Sequence, residues 1–170
     1  MDPLWLRTMA EYAVWMNAKL IARASTLSDE ARKRDLGAFF KSLHATLDHV
    51  NYGDMAWLAR FDGGEKPSVR HGQLMDGSWD ALVARRSTLD ARLKAWTNSV
   101  EQEALARDFT YVAGSDGKSR TLPLWVLATH MINHGTHHRG QATTLLKQLG
   151  VDPGETDLPW LPALYDGSLF

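Results

Sequence analysis

Cysteine is missing altogether from the 170 residues. Its absence excludes disulfides, thiolate nucleophiles, cysteine-type zinc fingers and iron-sulfur ligation, so any metal must rest on His, Asp or Glu. An excess of either charge is missing too: 19 Lys and Arg nearly balance 20 Asp and Glu, for a formal net charge of -1. Without an overall positive field or a basic stripe, neither nucleic acid nor an anionic membrane is an expected partner. No stretch reaches the roughly 18 apolar residues of a membrane span. The start, Met1-Asp2-Pro3-Leu4-Trp5-Leu6-Arg7, is not a basic segment followed by an apolar run, so a cytoplasmic protein is expected. No Glu-x-x-His pair occurs among the six Glu residues, which disfavours a ferritin-like di-iron protein.

What is present is an ordinary globular balance, 44% hydrophobic and 23% charged. That suits a single domain over residues 1–170 with a sizeable core, and no internal repeat or low-complexity tract divides it. Two residue types stand out, with seven Trp and seven His.

Apolar periodicity lays out four long helices. The first runs from Pro3 to about Ala24 on Leu6, Met9, Ala13, Met16, Leu20 and Ala24. The second starts at a Ser28 N-cap and continues through Leu36, Phe39, Phe40, Leu43, Leu47 and Val50 to about Arg60, with Gly37 as a point of division. Asp62-Gly63-Gly64 stops it, and a polar loop to Gly77 is long enough to cross the bundle. Ser78 caps a third helix on Leu82, Leu89, Leu93, Trp96 and Val100, with Arg85, Arg86, Asp90, Arg92 and Lys94 on its wet face. Alternation of Phe109 and Tyr111 with polar neighbours before Gly114-Ser115-Asp116-Gly117 predicts a small hairpin between Arg107 and Leu122. Thr121-Leu122-Pro123 then opens the fourth helix, and Gly150 with Pro153 closes it. The tail to Phe170 crosses the bundle as a loop or short helical turn. Helical spacing assigns most of the Trp residues, Trp5, Trp15, Trp57, Trp79, Trp96 and Trp125, to the core.

The fourth helix carries the informative pattern, four His between His130 and His138. At about 100° per residue, His130, His134, His138 and Gln141 fall within roughly 80° of arc. Leu127, Met131, Leu145 and Leu149 share that arc, so imidazoles interrupt the stripe that should pack against other helices. Each unsatisfied buried polar group costs roughly 1 to 3 kcal/mol. A divalent ion satisfies them most economically, because neutral imidazoles four residues apart on one helix chelate zinc or nickel. A third ligand is available from the second helix as His44 or His49, which flank opposite sides of the Leu43, Leu47 and Val50 stripe. Small residues favour His49: Thr46, Gly53 and Ala56 share its side and let another helix approach. His71, in the polar loop, reads as a plain surface residue, and His137 lies off the centre of the face. His130, Asn133 and Gln141 are candidates to orient the ligands or touch a substrate. Arg139 either steers an anionic substrate or is solvated.

His49-Val50-Asn51-Tyr52-Gly53-Asp54-Met55-Ala56-Trp57-Leu58, together with His134-Gly135-Thr136-His137-His138-Arg139-Gly140-Gln141, resembles the DinB family of bacterial four-helix proteins, the DinB/YfiT-like superfamily. Tyr12-Ala13-Val14-Trp15-Met16-Asn17 and the hairpin fit as well, so the likeness spans nearly the whole chain. The resemblance implies an all-α four-helix bundle of up-down-down-up topology with a small β-hairpin before the last helix. It also implies a metal site of His49, His134 and His138, choosing His49 over His44, with zinc or nickel as the ion and a homodimer as the assembly. Characterised relatives include transferases and isomerases that use low-molecular-weight thiols. Three His ligands leave a fourth position for water or a thiol, the pattern of catalytic zinc. A metal-dependent enzyme acting on a small-molecule electrophile with a low-molecular-weight thiol is therefore expected, whether as S-transferase, hydrolase or isomerase. The alternative is a non-catalytic metal-binding stress-response protein.

Overall fold

The computed structural model describes residues 2–114 and 116–169; Met1, Phe170 and Ser115 of the expected turn lie outside the described residues. Helix α1 spans Pro3–Ser25, started by the Asp2 side chain, which accepts from the Leu4 amide, and by Pro3 in the first turn. It buries Leu6, Ala13, Met16, Leu20 and Ala24 of the face that the periodicity marked, with Ala10 buried where Met9 was expected and Met9 half-buried. The second helix is not continuous. A one-turn α2, Asp29–Lys33, is capped by Ser28, and a fresh N-cap at Ser42 starts α3, Leu43–Asp62. Between them Gly37 takes a φ of 74° and Lys41 a φ of 67°, and Leu36 donates its amide to the Lys41 carbonyl. The chain turns where Gly37 supplies a left-handed residue, at the division its presence suggested. The turn carries Phe39 and Phe40 out of helical register.

Ser78 caps α4, Trp79–Ser99, and a short α5, Gln102–Ala106, follows that periodicity did not reveal. Strands β1 (Asp108–Val112) and β2 (Ser119–Pro123) form the expected antiparallel hairpin, with Asp108 opposite Pro123 and Val112 opposite Ser119. Because Thr121 and Leu122 belong to β2, α6 begins later than expected, at Leu124, and runs to Gln148 with Pro123 as its N-cap. Gly150, at a φ of 78°, ends it. The tail crosses α1, where Tyr12 donates its hydroxyl to the Thr156 carbonyl, and forms two short 3-10 turns.

Residue pairs fix the topology. Arg86 meets Asn51 and Asp54 while Arg92 meets Asp62, so α3 and α4 run parallel. His49 meets His138 while Trp57 meets His130, so α3 and α6 run antiparallel. Asn17 with Asp90 and Glu11 with Lys94 set α1 against α4. Leu6 and Ala10 pack with Ala128 and Met131 at one end, and Met16 and Leu20 with Ala142 and Leu146 at the other, so α1 and α6 run parallel. This is the up-down-down-up bundle, and two parallel neighbours in sequence explain the long loop from Gly63 to Ser78.

Between the two apolar clusters lies a polar belt contributed by all four long helices. Arg86 donates to Asp54 at 2.8 Å and to Asn51 at 3.1 Å and pairs with Asp90 at 3.0 Å, while Asn17 donates to Asp90 at 2.8 Å. Arg86 is therefore buried rather than on the wet face, and Asp90 is half-buried beside it, since each charge is met by an opposite one. Arg139 is also buried and reaches Thr136, so it is not a solvated surface cation. Of the Trp residues expected in the core, Trp96 is buried, Trp15, Trp57 and Trp79 are half-buried, and Trp5 and Trp125 are exposed.

Candidate metal centre

The second turn of α3 and the middle of α6 bring together the three imidazoles marked by the sequence. His49 Nε2 lies 3.3 Å from His134 Nε2, which lies 3.2 Å from His138 Nε2, and the three nitrogens form a group that could hold one metal ion. The approach depends on Gly53: a Cβ there would fall 2.7 Å from His134 Cε1. The small side of α3 is thus what admits α6, as the positions of Thr46, Gly53 and Ala56 suggested.

Each ring is presented in the form a metal requires. Burial, reinforced by the neighbouring imidazoles, pushes His49 down to about 3 and His134 down to about 4, and lowers His138 as well. All three are neutral near pH 7 and offer a lone pair. His138 donates its Nδ1 proton to Gln141 Oε1 at 2.8 Å, which leaves the Nε2 lone pair facing the other two rings. Gln141 is held in turn through its amide nitrogen, 3.3 Å from His137 Nε2. Phe40 stacks on His49 at a centroid distance of 4.0 Å and meets His138 edge-on at 5.4 Å. The donor set, three neutral nitrogens with a cradle kept free by glycine, fits a borderline divalent ion.

His44 belongs to another task. It is fully buried on the opposite side of α3 and donates Nε2–H to the Asp76 carbonyl at 2.7 Å. Asp48 accepts the Met75 and Asp76 amides, each at 2.8 Å, and Asp76 pairs with Arg85 at 2.6 Å. Four contacts therefore pin the loop after α3, and that loop carries His71. The His71 ring stands edge-on to His49 at 5.4 Å and to Tyr52 at 5.7 Å. It is exposed, but it lines the site and is not the plain surface residue its polar surroundings suggested. His130 stands edge-on to Trp57 at 5.1 Å, and the desolvation of its inner side lowers its proton affinity, although the residue, like Asn133, is exposed overall.

Phe40, Tyr52 and His71 escaped the sequence pattern. Gly37 followed by Ser42 was the signal that could have placed Phe40, because a left-handed residue before an N-cap marks a break that frees the residues between. No spacing rule marks His71, which is brought in by tertiary contacts alone.

On one side His49 and His134 border a cleft of about 460 Å³, lined by Tyr52, Trp57, Tyr111 and His130 among others. Residues 2–166 match the sequence model of the DinB family. The protein named "Protein DinB" of Bacillus subtilis (strain 168) is 28% identical over 151 residues, 86% of this chain and 87% of that protein.

Proposed function

The chain belongs to the DinB family, and from that premise we propose that it is a metal-dependent enzyme in which His49, His134 and His138 hold one divalent ion, zinc or nickel. The observation that carries this reading is the convergence of three neutral imidazole nitrogens on one point with an open cleft beside it. When bound, such an ion supplies Lewis acidity that favours the anionic form of a thiol or water ligand. Since the chain has no cysteine, the sulfur must arrive on a low-molecular-weight thiol, and the acceptor is a small-molecule electrophile.

The protein's own groups serve that chemistry by position. Gln141 fixes the His138 tautomer, Gly53 lets His134 reach the α3 side, and Phe40 covers one face of His49 against water. Thiol transfer is the reaction class proposed, in one DinB-like domain that works in the cytoplasm as a homodimer.

The test is turnover. Zinc- or nickel-loaded protein, offered a panel of electrophiles with glutathione, bacillithiol or mycothiol, is expected to consume thiol and electrophile together, and His134→Ala is expected to abolish this. No turnover with any thiol or either metal would contradict the enzyme and favour a metal-binding protein without catalysis.

A further inference from the structure

The cleft beside the three His continues along α3 well beyond them. Gly53 and Ala56 form a low floor, and Arg60 follows His49 by three helical turns, about 16 Å along the axis and on the same face. There the cleft meets a second one of about 470 Å³ that shares Tyr52, Ala56, Arg60 and Tyr111 with it and extends to Lys66. Neither cleft has an Asp or Glu among its described lining residues. A groove with cations and no carboxylate favours an anionic occupant.

Among the cations of the two clefts, Arg60 is the one whose charge lies over an aromatic ring, and only Lys66 shares its lack of a carboxylate partner among the described residues. Arg120, which lines the same cleft, is held by both carboxylate oxygens of Asp116, at 2.8 and 2.9 Å, so its charge is already met. Arg85, Arg86 and Arg92 each have a carboxylate as well. Arg60 pairs with no carboxylate among the described residues. Its guanidinium lies over the Trp57 ring at 5.0 Å and donates only to the Ala56 and Val112 carbonyls. Two neutral acceptors leave further N–H donors and the full charge available, on a fork braced by an aromatic face.

Resting on the metal-site reading above, we infer that Arg60 anchors the carboxylate of an extended thiol acid whose sulfur end lies at the three His. The groove then sets specificity by length and by charge: a sulfur at one end, an aliphatic or amide chain over Gly53 and Ala56, and an acid group on Arg60.

The probes are 8-mercaptooctanoate and its neutral counterpart 8-mercaptooctan-1-ol, titrated calorimetrically into zinc-loaded wild type, Arg60→Gln and Arg60→Lys, with zinc content measured in parallel. Wild type is expected to bind the acid about tenfold or more tightly than the alcohol, the scale of a charge-assisted Arg–carboxylate contact. Arg60→Gln is expected to bring that ratio near one with the alcohol unchanged and zinc retained, and Arg60→Lys to restore part of it. The same ratio in wild type and Arg60→Gln, or an equal loss of both ligands, overturns the assignment. Failure of the metal reading is distinct from either, because zinc would then not be retained by the wild type at all.

Discussion

Gly53 controls how near α6 can come to α3. With a methyl group placed 2.7 Å from His134 Cε1 and 2.8 Å from Nδ1, the ring must move, and with it the nitrogen that faces both other imidazoles. Gly53→Ala is therefore expected to weaken zinc binding at least tenfold, about 1.4 kcal/mol, in a protein that still folds; chelator competition and thermal unfolding measure the two effects. Unchanged affinity would mean the rings do not converge on a common ion. Gln141 acts at the next remove. Removing its oxygen in Gln141→Ala frees the His138 ring to rotate and to carry its proton on either nitrogen, and a loss of about 10- to 100-fold in metal affinity is expected. At this scale much was legible in the sequence. Four His on one helical arc, Gln141 beside them and small residues on the His49 side are all pattern, whereas the choice of His49 over His44 needed the family resemblance. In the structure His44 is instead occupied by the Asp76 carbonyl.

Helix α3 works on both of its sides. One presents His49 to α6, and the other holds the following loop through His44 and Asp48. Burial raises the Asp48 carboxyl above its ordinary range, although the two amides that it accepts pull it down. Asp48→Ala leaves the Met75 and Asp76 amides without a partner, and a loss of about 2 to 4 kcal/mol is expected in urea unfolding, with the His71 ring resonances shifted. A loss under 1 kcal/mol would show the loop to be held by other contacts. The elements themselves were readable from apolar spacing, caps and turn residues, and their misreadings share a cause. Periodicity counts apolar side chains, so Phe39 and Phe40 were absorbed into a helix that Gly37 interrupts. Charge was taken to mean solvent, so Arg86 and Asp90 were placed on a wet face although they lie in the belt that joins the four helices. Of the partners that make this tolerable, Asn17, Asn51 and Asp54 are far away in sequence.

The whole bundle registers the protonation state of its site. Unfolded imidazoles take up protons as the pH falls through about 6.5, whereas folded His49 and His134 stay neutral down to about 3 and about 4. Over that window the unfolded state binds more protons, so the metal-free protein loses stability as the pH falls. Its Tm is expected to drop between pH 7 and pH 4 more steeply than that of the double variant His49→Gln with His134→Gln. Equal slopes would contradict the burial of these rings. The up-down-down-up arrangement is what places α3 and α6 side by side and antiparallel, and hence what sets His49 opposite both His134 and His138. The most direct measurement is metal content, by elemental analysis of protein purified without a His-tag or chelating resin. One zinc or nickel per chain is predicted for the wild type, with its loss in each of His49→Ala, His134→Ala and His138→Ala; a full complement retained in all three, or none taken up by the wild type when metal is supplied, would contradict the account.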